Sequence, residues 1–243
     1  MGKGIFVTGT DTEIGKTCCS LGLMICLQQA GCQVAAMKPV ASGCKQTKLG
    51  MCNEDAMLLS QYASFSIPYQ QVNPYALTLP IAPHVAAAVQ GVEIQPAVIK
   101  ATFDAVSVLA DAVVVEGVGG WAVPINARQT MADVAILLDL PVVLVVGLRL
   151  GCLNHALLTT SAIMQAGLPL AGWIANNINP TSAWVKENIQ ALCERLPMPL
   201  LGTVPYLLQP TPEMIAAFLD IRPCVIAAKI KCKHAIVSSK QQR

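Results

Sequence analysis

Val7-Thr8-Gly9-Thr10-Asp11-Thr12-Glu13-Ile14-Gly15-Lys16-Thr17 separates a short apolar run beginning at Gly4 from a stretch with helical apolar spacing. The pattern reads as strand, turn and helix. Gly15 lets the backbone come close to an anion before Lys16-Thr17 open the helix, so that backbone amides and the positive helix terminus face it. Lys16 is placed to reach β- and γ-phosphates, and the Thr17 hydroxyl is a hard oxygen donor of the kind Mg²⁺ takes. Five residues, Thr10 to Ile14, lie between the glycines where the usual loop has four. The stretch is read as a phosphate-binding loop.

Outward from the loop, the chain alternates between strand-like and helix-like segments. Leu21 to Ala30 has helical spacing and stops at Gly31. Gln33 to Met37 reads as a second strand, followed by a loop from Lys38 to Gly43, where Pro39 and Gly43 break both periods. Lys45 to Met51 is polar and is expected to be mobile, with a helix from Asn53 to about Ala63 after it. Ser66 to Pro83 holds four prolines and reads as an irregular excursion of the kind that builds a site wall. Helices are expected around His84 to Gln90 and Pro96 to Leu109. Ala112 to Val115, Val142 to Val146 and Leu170 to Ala175 are continuous apolar runs of strand length, expected to be buried on both faces. Helix-like segments Ala132 to Leu138, Leu153 to Ala166 and Ala183 to Leu196 separate or follow them, and Leu200 to Val204 reads as a last strand.

This alternation predicts an α/β fold, a mostly parallel central sheet with helices on both faces. Of 243 residues, 54% are hydrophobic and only 12% charged, against roughly 25% charged in an average soluble domain. Much of the chain is therefore buried, and apolar surface remains for a subunit interface. No linker argues for two domains, so one is expected over residues 1–222, with a tail over 223–243. A net charge of +2 and the lack of a basic stripe give no case for nucleic acid. No apolar run approaches the roughly 20 residues of a membrane helix. Ten scattered cysteines lack the two-residue gap of a zinc or redox site and read as core packers in a reducing cytosol, the expected compartment.

Ligands of parallel sheets gather at the carboxyl ends of the strands. Gly9 to Thr17, Lys38, Glu116-Gly117, Gly147 to Asn154, Asn176 and Pro205 all follow predicted strand ends and should share one rim. Glu116 there is a candidate Mg²⁺ ligand, directly or through water, or else a turn-facing acid. Asp55, near a helix start, is a candidate ligand or an ordinary first-turn acid. Lys38 is expensive to place after a buried strand without a partner, and can neutralise charge in phosphoryl transfer. Both lysines are read as solvent-rim charges with few packing duties. Gly151-Cys152-Leu153-Asn154 opens a helix whose amides can hold a carboxylate, although Asn154 is equally a plain N-cap. Ser42 has no His-Asp partner in view and reads as a substrate hydrogen-bonder rather than a nucleophile.

Taken together, Thr8 to Thr17, Lys38-Pro39-Val40-Ala41-Ser42-Gly43, Val115-Glu116-Gly117-Val118-Gly119-Gly120-Trp121, Gly147 to His155 and Ala175-Asn176 resemble the dethiobiotin synthetases, a family of P-loop NTPases. The matches keep order and spacing from Ile5 to about Leu207. The resemblance implies a magnesium-dependent ligase that closes a cyclic urea from 7,8-diaminononanoate, CO₂ and ATP, through a carbamate and a carbamic-phosphoric anhydride. It implies Thr17, Asp55 and Glu116 as Mg²⁺ ligands and Glu13, Ile14, Gly15, Lys16 and Thr17 as the phosphate cradle, joined by Gly117, Val118 and Gly119. Lys38, with Lys16, matches the catalytic lysines, and Thr12 and Ser42 the diamine end. Asn176, Asn177, Pro205, Tyr206 and Leu207 match an adenine pocket. It further implies a homodimer with a shared active site, in which the partner's Gly151 to Asn154 receives the substrate carboxylate.

Two departures stand out. Where family members commonly carry a tyrosine after the Asn176 strand, this chain has Trp184 and Asn188; and the lysine-rich tail from Pro223 matches nothing in the family and is expected to be frayed or partly ordered. The nearest alternative is a ParA/MinD-like nucleotide-switch ATPase. Those proteins usually carry an additional lysine just after the first loop glycine, where Thr10 stands here.

Overall fold

Six parallel strands supply the frame that carries every candidate residue. The computed structural model describes residues 3–48 and 50–234. Strand β1 (Gly4–Gly9) leads into α1 (Lys16–Gln29), and β2 (Val34–Met37) leads to the Lys38 segment. Next come β3 (Val40–Ala41), β4 (Lys45–Thr47), β5 (Gly50–Cys52), α2 (Glu54–Gln61), α3 (Tyr69–Val72), β6 (Tyr75–Ala76), α4 (Pro83–Val89) and α5 (Pro96–Ser107). The remaining elements are β7 (Ala112–Glu116), α6 (Met131–Leu138), β8 (Val142–Gly147), α7 (Cys152–Gln165), β9 (Leu170–Asn176), α8 (Val185–Cys193), β10 (Leu200–Val204), α9 (Pro212–Ala216) and α10 (Arg222–Ala227).

The main sheet runs β10-β9-β8-β1-β7-β2, with every pairing parallel. Both faces are covered, which explains why the strands read as unbroken apolar runs. Successive side chains still divide between the faces: Ile5, Val7 and Val114 join the layer packed by Leu23 and Leu27 of α1, whereas Phe6, Val113 and Val115 join the layer packed by Ile99, Phe103 and Val134. A third cluster gathers Leu144, Val146 and Trp173 with Ala156 of α7 and Leu192 of α8. Register places Val7 beside Glu116 and Gly147 beside Asn176, so the strand ends form a common rim.

Two expectations change, and a third is narrowed. Lys45 to Met51 is no mobile loop but largely the antiparallel hairpin β4–β5, whose rungs pair residues close in sequence and so leave no apolar alternation to read. The Lys38–Gly43 loop contains β3, which pairs in parallel with β6 across a long sequence gap. The tail is ordered as far as it is described: Cys224, Ala228 and Ile230 are buried, and the amides of Lys233 and His234 both reach the Ala30 carbonyl at 3.0 Å. Residues 235–243 lie outside the described residues.

Candidate active site

The phosphate loop owes its shape to two close contacts. Gly15 caps α1 at φ +81°, and a Cβ there would lie 2.2 Å from Nδ2 of Asn176, so the position is closed to any side chain. That Asn176 amide donates to the Ile14 carbonyl at 2.8 Å and ties the loop to the end of β9. Glu13 takes φ +57°, a left-handed conformation uncommon for a residue with a Cβ and typical of strained functional turns. Gly15 supplies no side-chain cap, so the first-turn amides of α1 are left for an anion.

Facing the loop is a connected set of charges. Lys38 Nζ donates to Glu116 Oε1 at 2.6 Å and to Asp55 Oδ2 at 2.8 Å, and the Thr17 hydroxyl donates to the same Glu116 Oε1 at 2.8 Å. Lys16 Nζ donates to the Asp11 carbonyl at 2.5 Å. Neither lysine is a solvent-rim charge: Lys16 is 7% and Lys38 5% exposed. Sequence reading placed them at strand and loop ends correctly but could not see the flanking wall that covers them. Burial lowers the Lys16 pKa to about 8, with Glu116 pulling the other way and the Lys38 ammonium adding to the fall. Burial also opposes the charge on Lys38, but there the Glu116 and Asp55 carboxylates outweigh it and its pKa is raised. Burial pushes the Asp55 carboxyl up less than Lys38 pulls it down, so its pKa is lowered.

A cleft of about 780 Å³ opens over this set. Thr12, Glu13, Gly15, Lys16, Thr17, Lys38, Ser42, Asp55, Glu116, Val118 and Gly119 line it, and Pro80, Ile81, Val123 and Pro124 give it an apolar wall. The proline-rich excursion thus supplies part of a site wall. Among the described residues, the buried Ser42 hydroxyl and Oε2 of the fully buried Glu116 have no hydrogen-bond partner. Gly117 lies beneath, its amide on the Val7 carbonyl at 2.9 Å. Trp121 packs edge-on against Phe6 at 6.3 Å and steadies the turn after Glu116.

Asn176, Asn177, Pro205, Tyr206 and Leu207 gather at the adjoining ends of β9 and β10, with the Asn177 amide on the Val204 carbonyl at 2.9 Å, but none of them lines the cleft. Gly151, Cys152, Leu153 and Asn154 open α7 outside this cleft as well, beside a fully exposed Leu150. Trp184, which stands near the place of the expected tyrosine, is 68% exposed.

A support chain behind Lys38 escaped the sequence reading. Asn73, 2% exposed, donates to the Lys38 carbonyl at 2.7 Å and accepts the Tyr69 hydroxyl at 3.2 Å; that hydroxyl in turn accepts the Asn53 amide at 2.8 Å. Asn53 caps α2 by accepting the Ala56 amide at 3.2 Å, which sets Asp55 on the first turn. Of this chain, the sequence reading held only the helix beginning at Asn53 and Asp55 in its first turn.

A left-handed loop opening a helix at the carboxyl end of a parallel sheet, with a buried lysine and a hydroxyl-carboxylate pair beside it, defines a P-loop nucleotide-binding protein. Residues 3–214 match the AAA domain family. The chain is 52% identical over 219 residues to the ATP-dependent dethiobiotin synthetase of Pseudomonas aeruginosa, covering 90% of this chain and 96% of that protein. It is 49% identical to the synthetase of the same name from Aromatoleum aromaticum, covering 89% and 96%. The chain belongs to the dethiobiotin synthetase family. Among solved structures it is similar to a ParA family ATPase from Chlorobium tepidum, at 13% identity and a TM-score of 0.52 over 95% of this chain and 97% of that one. MinD of Pyrococcus horikoshii, complexed with Mg-ADP, gives 16% identity and 0.52 over 95% and 93%. At such identities the likeness shows the fold alone.

Proposed function

We infer that the protein is the ATP-dependent ligase that closes the ureido ring of dethiobiotin from 7,8-diaminononanoate and CO₂. The observation that carries this reading is the Lys38 ammonium, held between Glu116 and Asp55 at the floor of a cleft whose opposite side is the phosphate loop. A carbamate formed on one substrate amine and the γ-phosphate of ATP are both anionic, so their approach needs fixed positive charge. Lys16 and Lys38 provide it in a water-poor setting, where such charge is worth most. The carbamate oxygen attacks the γ-phosphate and expels ADP, giving a carbamic-phosphoric anhydride; the second amine then attacks the carbamoyl carbon, displaces phosphate, loses a proton and closes the ring. Holding that amine beside the anhydride supplies an effective molarity that can reach ~10⁵ to 10⁸ M. Thr12 and the unpartnered Ser42 hydroxyl are assigned to the diamine, and the apolar wall at Ile81 and Val123 to its carbon chain.

Mg²⁺ fits the residues present. Among the described residues no three His, Cys, Asp or Glu cluster as metal ligands. Thr17, Asp55 and Glu116 are instead two carboxylates and a hydroxyl, and Glu116 Oε2 is buried and unsatisfied. That partial set of hard oxygens suits an ion that keeps waters and phosphate oxygens of its own. The ion, when bound, would offset phosphate charge. Asn176, Asn177, Pro205, Tyr206 and Leu207 are assigned to the adenine.

A homodimer is part of the proposal. Gly151 to Asn154 lie outside their own chain's cleft, and Leu150, Leu157 and Leu158 leave apolar surface uncovered nearby, which supports their serving the partner's substrate carboxylate. No helix of the described residues is long and apolar enough to cross a membrane.

The test is incubation with labelled bicarbonate, diamine and MgATP. Label in a cyclic urea, matched by phosphate release, is expected. Phosphate release with no label incorporated would instead favour a nucleotide switch.

A further inference from the structure

Asp11 puts a carboxylate inside the phosphate loop, where its charge opposes an incoming polyphosphate. Three contacts surround that residue. Its Oδ1 accepts the Thr12 amide at 2.8 Å, its backbone carbonyl accepts Lys16 Nζ at 2.5 Å, and its Oδ2 pairs with the guanidinium of Arg149. Arg149 stands between the end of β8 and the start of α7, so the pair joins the segments that follow two adjacent strands. Both side chains are nearly half exposed, at 45% and 44%. A pair in that setting contributes little to stability. Beside a bound triphosphate its effect is different, because an uncompensated acid there repels the ligand.

We propose that Arg149 is a positioning residue for nucleotide binding, cancelling the Asp11 charge beside the Thr12 amide and the Lys16 ammonium, where the phosphates arrive. A guanidinium suits this task, since it stays charged at any working pH and presents a rigid fork to a carboxylate. The role is distinct from that of the cleft lysines: neither Arg149 nor Asp11 lines the cleft, and Arg149 acts through its pairing with Asp11.

The proposal rests on the reading that this loop holds ATP. It is tested by calorimetric binding of MgADP and by the KM and kcat for ATP in five proteins: wild type, Arg149→Ala, Arg149→Lys, Asp11→Asn and the double variant Arg149→Ala with Asp11→Asn. Arg149→Ala is expected to weaken MgADP binding and raise the KM for ATP by roughly three- to thirtyfold, the scale of one screened charge contact, with kcat at saturating ATP within about twofold. Arg149→Lys recovers most of the loss because the charge remains. Asp11→Asn, which keeps the oxygen facing Thr12, restores binding in the Arg149→Ala background and does not weaken it alone. Thermal midpoints within a degree or two of wild type are expected throughout, because the pair is exposed. Wild-type affinity in Arg149→Ala, or a double variant as weak as Arg149→Ala, would overturn the proposal. Failure of the wild type to bind either nucleotide would overturn both the proposal and the phosphate-loop reading beneath it, and is separable because it precedes any comparison of variants.

Discussion

The loop side of the cleft and the β2 side each bury one lysine and treat it in opposite ways. Lys16 is buried with only a backbone carbonyl in contact, and its pKa falls to about 8. Lys38 is buried as deeply, yet two carboxylates hold it and its pKa rises. The difference teaches what each side is built for. Lys16 has no carboxylate in hydrogen-bond contact among the described residues, so an incoming phosphate completes it; Lys38 is already paired with Glu116 and Asp55 and holds both carboxylates at the cleft. One side waits for an anion, and the other is a pre-assembled charge cluster.

The sharpest way to break this comparison is to delete each lysine in turn. Lys38→Ala should abolish turnover and also destabilise the fold by roughly 3–5 kcal/mol, because it strands the fully buried Glu116. Urea unfolding measures the loss, and adding Glu116→Gln should recover a large part of it. Wild-type stability in Lys38→Ala would mean that the cluster holds nothing in place. Lys16→Met should likewise abolish ATP turnover, yet leave stability at pH 7 unchanged or raised by up to roughly 3 kcal/mol, since it removes a charge that burial penalises. The two deletions should therefore differ in structural cost, small for Lys16 and large for Lys38.

Titration sharpens the same contrast. The folded Lys16 pKa lies below its unfolded value of 10.5, so between pH 8 and 10.5 the unfolded chain binds more protons than the folded one. Stability from this group is thus lowest below pH 8 and rises toward pH 10.5, opposite in sign to a lysine that gains a partner on folding. Subtracting the Lys16→Met unfolding profile from that of wild type should isolate the rise. Triphosphate favours the ammonium, so nucleotide binding near pH 8.5 should take up a proton, read by calorimetry in buffers of different ionisation enthalpy. Binding without proton uptake would remove Lys16 from the phosphate contacts.

How much of this was legible in the sequence depended on how local the signal was. The loop, the six main strands and the common rim could be read because Gly15, Lys16-Thr17 and runs such as Ala112 to Val115 carry their meaning within a few residues. Burial of the lysines could not, because it depends on segments brought together from far along the chain, such as the Pro80 to Pro83 wall of the same cleft. The β3–β6 pair and the tail failed to show for the same reason. Ile230 is an ordinary apolar residue until its packing against the α1 layer is seen, and Gly31 until Lys233 and His234 are found against it. Asn73 is the clearest case. A lone polar residue after a four-residue helix says nothing, yet its amide carries the Lys38 carbonyl.

That support chain yields the smaller effects. Asn73→Ala leaves the Lys38 carbonyl and the Tyr69 hydroxyl short of a partner in a buried setting, a cost of about 1–3 kcal/mol. It should also lower kcat more than it raises KM for ATP, since it loosens the β2 side while leaving the phosphate loop intact. Equal effects on both constants would show that the two sides are not independent.

Tyr69→Phe is the mildest test. Burial pushes the Tyr69 phenol up to about 12, so it keeps its proton and donates to Asn73 across the working range of pH. Without the hydroxyl, Asn73 retains its bonds to the Lys38 and Tyr75 carbonyls, at 2.7 and 3.3 Å, and the Asn53 amide loses an acceptor. Asn53 still caps α2 through its side chain, so Asp55 keeps its place. The expected loss is therefore about 0.5–1.5 kcal/mol of stability, the net worth of one hydrogen bond, with turnover within about twofold of wild type. A larger fall in turnover, with stability little changed, would show that the hydroxyl positions Asp55 through the Asn53 backbone rather than merely bracing the wall.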